Sequence, residues 1–160
     1  MGKHQHQKPG LDAEVYPDAR IESFIKNNFI PVKIHIKEQP KTFERFGAQW
    51  APTMQILDPD GTKRHQFEGF LPADDFLSQL KLGLAHSAFA RQQWKEAESR
   101  YEDIVKTLPD SDAAPEALYW QGVSRYKSSG DPTALQQTAD AFKTRYRDST
   151  WAKKASVWAK

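Results

Sequence analysis

Two histidines near the amino end, His4 and His6 in MGKHQHQKPG, are the first side chains of this sequence with metal-ligand spacing. Both imidazoles of a His-x-His pair can hold a divalent cation, but a structural zinc site needs four ligands and this arm offers two. The plainer reading is a loose terminus or a leftover of expression, and no metal or cofactor is expected. Asp12 with Glu14, and Glu38 with Asp58, are candidate acid–base pairs, yet no spacing forces either pair across one cleft. DPDG at 58–61 is too short and too poor in oxygen donors for a calcium loop and reads as a turn. His35 and His65 fall at outward positions of expected strands without an evident partner. His86 stands where the chain changes character, as apt to cap a helix as to do chemistry. The sequence holds no cysteine. Within these residues there is therefore no disulfide, no thiolate metal site and no cysteine nucleophile.

The elements that must position such groups follow from composition and periodicity. With 160 residues, 38% of them apolar, the chain can bury one sizeable core or two small ones. Its 23 basic and 21 acidic residues alternate closely through RQQWKEAESRYEDIVK, which argues against a nucleic-acid face. No apolar run approaches the roughly 20 residues that span a bilayer. The first ten residues lack the apolar segment of a signal peptide. The compartment expected from the chain as given is therefore cytoplasmic, or periplasmic or secreted if an upstream signal segment is missing.

Residues 1–10 read as a polar, flexible arm. Ile21, Phe24 and Ile25 then fall at helical spacing behind Asp18, a plausible cap. In FIPVKIHI, Ile30, Val32, Ile34 and Ile36 alternate with Pro31, Lys33 and His35, the strongest strand signal in the chain. A short helical piece, KTFERFG, stops at Gly47. Met54, Ile56 and Leu57 supply a further strand, DPDG reverses it, and TKRHQF returns. LPADDFLSQLKLGLA opens a helix with Pro72 near its first position and Asp74 and Asp75 in its first turn. From about His86 only helices are expected, at roughly 87–107, 113–128 and 132–146, with a last one from near Trp151. LPDSDAAPEALYW at 108–120 and YRDSTWAKKASVW at 146–158 share Asp-Ser, Ala and Trp at a constant offset of 38, the mark of a helical-hairpin repeat. Four unrelated packing helices are the alternative.

Three features together resemble the thioredoxin superfamily over about residues 11–85. The helix after LDAEVYPD runs directly into FIPVKIHI, FGAQWAPT places a proline before the hairpin strand, and ILDPDGTKRHQFEGF ends in a Gly-aromatic step before a helix. The resemblance implies that Pro52 follows a cis peptide bond and that the backbone of Ala51 pairs with an extended peptide, which makes Trp50, Ala51, Pro52 and Thr53 the candidate peptide-binding residues. The alternative is a proline that merely starts a strand. The resemblance also implies an earlier central strand and a Cys-x-x-Cys. Only ten residues precede Leu11, and the nearest positions, 5–8, read QHQK. Without two thiols, neither attack nor resolution in disulfide exchange can occur. A missing central strand would leave an uncovered sheet edge, to be guarded by helices or paired with another molecule.

The carboxyl-terminal half resembles tetratricopeptide-type repeats. Trp94, Ala97, Tyr101, Ile104 and Leu108 lie on one helical stripe closed by Pro109, and Leu118, Gly122 and Tyr126 take comparable places in the next unit. The second unit departs by carrying Arg147 where the closing proline would stand. Such stripes are first of all core.

The expected fold class is therefore α/β (α+β-like), a partial thioredoxin fold over 11–85, followed by an all-α helical-repeat module over 86–160. The leading functional expectation is a non-catalytic protein- or peptide-binding scaffold, with a homo-oligomer through the uncovered sheet edge as a further option and no membrane partner. The alternative is a thiol-disulfide oxidoreductase whose Cys-x-x-Cys segment is missing or replaced in this chain. A purely structural assembly domain is a third class.

Overall fold

The computed structural model describes residues 18–159. The arm, His4, His6, Asp12 and Glu14 lie outside the described residues. The described chain runs α1 (Ala19–Asn28), α2 (Pro40–Arg45), β1 (Thr53–Leu57), β2 (Lys63–Glu68), α3 (Ala73–Ala90), α4 (Trp94–Thr107), α5 (Ala114–Ser129), α6 (Thr133–Thr144) and α7 (Thr150–Ala155), then a 3-10 turn at Ser156–Trp158. A mixed α/β region is thus followed by an all-helical module. The chain divides into two compact units, one of Met1–Met54 with Phe67–Leu77, the other of Gln55–Gln66 with Ser78–Lys160.

In the first unit, α1 starts because Asp18 accepts from the Arg20 amide at 2.9 Å, satisfying one of the free donors of the first turn. The Arg20 guanidinium bridges Asp18 and Asp74, at 2.8 Å to each. Ile21 is fully buried, and Phe67 meets Phe76 edge to face at 5.4 Å between centroids. Pro40 opens α2, where its missing amide costs nothing, and Gly47 at φ +63 follows its end.

The strand expected at 30–36 is not formed. Residues 29–35 have no regular structure and a turn follows. Alternation states which side chains share a face, but a strand exists only against a partner. The sheet of the described residues has two strands, β1 and β2, paired with each other, and no further strand lies along its edges. Ile30, Val32 and Ile36 are accordingly 93%, 77% and 50% exposed.

In the second unit, DPDG forms the expected turn. The Gly61 amide donates to the Asp58 carbonyl at 2.8 Å, with Gly61 at φ +85. Helix α3 continues through His86 to Ala90, so the helix expected over 87–107 is two helices. The break is a C-terminal motif in which the Gln92 amide bonds the Phe89 carbonyl (2.9 Å) and the Gln93 amide bonds the Ala88 carbonyl (3.0 Å), with Gln92 left-handed at φ +61. Helix α5 begins with a proline in its first turn and ends at Gly130, φ +71; Ser149 caps α7 through the Ala152 amide. Helix α5 packs against α4, α6 and α7. Leu82, Ala97, Tyr101, Ile104, Ala117 and Phe142 belong to the core of this unit, with Tyr101 fully buried. Gly122 of α5 faces Thr138 of α6 with no room for a side chain between them. Among the described residues no helix is long and apolar enough to cross a membrane.

Candidate functional site

The loop before β1 is shaped by hydrogen bonds at both ends. The Ala51–Pro52 peptide bond is cis. The Pro52 carbonyl accepts from the Gly69 amide at 2.9 Å, and the Thr53 hydroxyl donates to the Trp50 carbonyl at 2.5 Å. Among the described residues no hydrogen bond engages the Ala51 backbone, and Ala51 is exposed. Trp50 is 69% exposed, and Phe70, next to the Gly69 that grips Pro52, is 57% exposed. Both aromatic side chains thus leave apolar area in water.

The remaining candidates resolve differently. Asp58 is no open carboxylate: it pairs with Arg64 at 2.5 Å and accepts from the Ser87 hydroxyl, with its side chain only 8% exposed. Burial pushes its carboxyl up, but these two partners more than reverse that and hold it below the ordinary carboxylate range. Asp60 accepts from the Thr62 amide at 2.9 Å, so the acids of DPDG serve the turn and its anchor. Glu38 is exposed beside the His35 carbonyl, which accepts the amides of Glu38 and Gln39. No group of three or more His, Asp or Glu that could hold a metal occurs among the described residues.

A polar cluster in the second unit has no counterpart in the sequence reading. His65 on β2 bonds Gln79 through Nε2 at 2.6 Å, and Gln79 donates to Asp112 at 3.1 Å. His86, inside α3 rather than at a helix end, meets the Tyr101 hydroxyl through Nδ1 at 2.7 Å and Glu116 through Nε2 at 3.1 Å. A carboxylate only accepts, so Nε2–H donates to Glu116, and in the neutral ring Nδ1 accepts from Tyr101. Burial raises the Tyr101 hydroxyl well above its ordinary range, with Glu116 adding to the effect, so Tyr101 acts as a structural donor. Each partner comes from another element, and no local spacing announces any of them.

Residues 8–83 match the family model described as a thioredoxin-like domain. The chain therefore carries an amino-terminal thioredoxin-like domain without a cysteine pair, followed by additional packed helices. No curated protein and no solved structure matches it. As these residues stand the domain is redox-inactive: disulfide exchange needs a thiolate to attack and a second thiol to resolve, and neither is present.

Proposed function

We propose that this chain is a non-catalytic interaction module that captures extended, apolar polypeptide at Trp50–Thr53. The observation that carries the reading is the exposed Ala51 backbone, which no hydrogen bond engages among the described residues, next to solvent-facing Trp50, with exposed Phe70 following the Gly69 that bonds Pro52, in a domain without thiols. Trp50 and Phe70 would cover apolar side chains of the ligand while Ala51 supplies backbone pairing. Among the described residues no third strand pairs with the two-stranded sheet, and its edges offer the same chemistry to a second chain, including another copy.

The helical module is read as tetratricopeptide-like. In both α3–α4 and α5–α6 a left-handed residue, Gln92 or Gly130, follows the first helix, and the second helix opens four residues after the last residue of the first. Such hairpins stack and present grooves to polypeptides.

Binding is tested with a labelled, cysteine-free peptide of about ten residues, alternating valine and lysine, by fluorescence anisotropy. Trp50→Ala should weaken binding by about tenfold or more, the loss expected for an aromatic anchor. Equal binding by the two proteins would overturn the assignment. The match of residues 8–83 to a thioredoxin-like domain also favours a second reading, an oxidoreductase whose Cys-x-x-Cys lies in a longer gene product. The intact mass of the native product separates the two readings.

A further inference from the structure

Two histidines unused by the peptide-binding reading meet inside the second unit. His65 is carried by the hairpin segment 55–66 and His86 by helix α3, with ring centroids 5.6 Å apart. The hairpin is fastened to α3 at three places. Ile56 lies against Gly83, Asp58 accepts from Ser87, and His65 bonds Gln79. The third fastening is the one that changes charge near neutrality.

We propose that the His65–His86 pair is a proton-operated latch, which holds segment 55–66 on helix α3 while His65 is neutral and loosens it when His65 takes up a proton. The surroundings set the sign. His65 is half-buried, and a charge there forfeits hydration. Its ring neighbour His86 gives Nε2–H to the Glu116 carboxylate and takes the Tyr101 hydroxyl on Nδ1, so it offers a proton on His65 no acceptor. Facing the pair from α3 is Gln79, from α4 Tyr101, from the α4–α5 link Asp112, and from α5 Glu116 and the Trp120 ring. Gln79, Asp112 and Glu116 favour the cation, yet burial outweighs them and His65 lies below the ordinary histidine range. Arg64, the neighbour on the hairpin, is occupied by Asp58 and adds no acceptor. The sign is thus fixed: the unfolded chain takes up the proton first, at about pH 6.5, and the latch weakens from there downward.

Backbone hydrogen exchange on the full chain, corrected for intrinsic rates, reads the latch at about pH 7.5 and at about pH 5, where histidine is the side chain that changes charge. Protection of amides in 55–66 should fall several-fold at the lower pH relative to amides of α5, and His65→Gln, which keeps a polar partner for Gln79, should abolish the difference. Unchanged relative protection in the wild type, or a pH-dependent loss that survives in His65→Gln, overturns the proposal. Should that variant fail to fold, proton NMR of the wild-type His65 ring decides: its titration midpoint must coincide with the loss of protection, and a mismatch overturns the latch.

Discussion

Gly83 of α3 touches Ile56 of the hairpin so closely that a side-chain carbon on the glycine would overlap Ile56 Cδ1 and stand 3.1 Å from its Cγ1 and 3.2 Å from the His65 Cβ. Glycine costs an interior helix position about 1 kcal/mol relative to alanine. Here it is the condition for the hairpin to lie on the helix. Gly83→Ala should therefore destabilise the protein despite the better helix former, by about 1–2 kcal/mol once overpacking is set against propensity. Ile56→Val in the same background, which removes the overlapping methyl, should restore part of the loss in urea denaturation. A stabilised Gly83→Ala would show that the hairpin does not rest there.

Gly122 and Thr138 present the same device between α5 and α6. An added carbon at 122 would overlap Thr138 Oγ1 and come within 2.8 Å of its Cβ and Cγ2. Gly122→Ala is expected to cost about 1–3 kcal/mol. Combined with Thr138→Ala, the loss should be smaller than the sum of the single losses, a coupling that a double-mutant cycle measures directly. Additive losses would place the two residues out of contact.

Asp58 predicts the acid limb of stability. Its carboxyl is held below the ordinary range by Ser87 and Arg64 against the opposing effect of burial. Its contribution is therefore fully present above the unfolded value of about 3.9 and is lost as pH falls through the folded value. Asp58→Asn should cost about 1–3 kcal/mol at neutral pH and flatten the stability profile below about pH 4. Part of the slope will persist through Asp18, Asp60 and Asp131, whose carboxyls are also lowered, chiefly by hydrogen bonds from Arg20, Thr62 and Thr133. A parallel acid limb in wild type and variant would contradict the Asp58 assignment.

Tyr101 buries its ring completely and spends its hydroxyl on His86. Tyr101→Phe keeps the ring packing and withdraws the donor from Nδ1, an expected loss of about 1–2 kcal/mol for a buried acceptor left unpaired. Chemical denaturation at neutral pH measures it. No change in stability would mean that water reaches His86 and replaces the hydroxyl.

What was legible in the sequence was local. Asp18 as a cap, Gly47 as a stop, DPDG as a turn and the acids opening α3 each act within a few residues, and each stands where expected. The α3–α4 break was missed because its left-handed residue is Gln92, not glycine, so the signal that marks such ends was absent. The strand at 30–36 was misread because alternation carries no information about whether a pairing partner lies alongside. The histidine cluster was invisible for the same kind of reason. His65 reaches Gln79 across 14 residues, and His86 reaches Tyr101 and Glu116 across 15 and 30, distances at which only the fold decides who meets whom. At the loop before β1 the cis Ala51–Pro52 bond stands where the thioredoxin resemblance implies it.

The central claim is that this thiol-free domain binds extended polypeptide at the Trp50–Thr53 loop. Backbone NMR of the labelled chain, titrated with the cysteine-free valine–lysine peptide, tests it most directly. The account predicts saturable shifts at the amides of Trp50, Ala51 and Thr53 and at Gly69 and Phe70, unaffected by reductant. Shifts confined to residues 94–158, or none at saturating peptide, would contradict it.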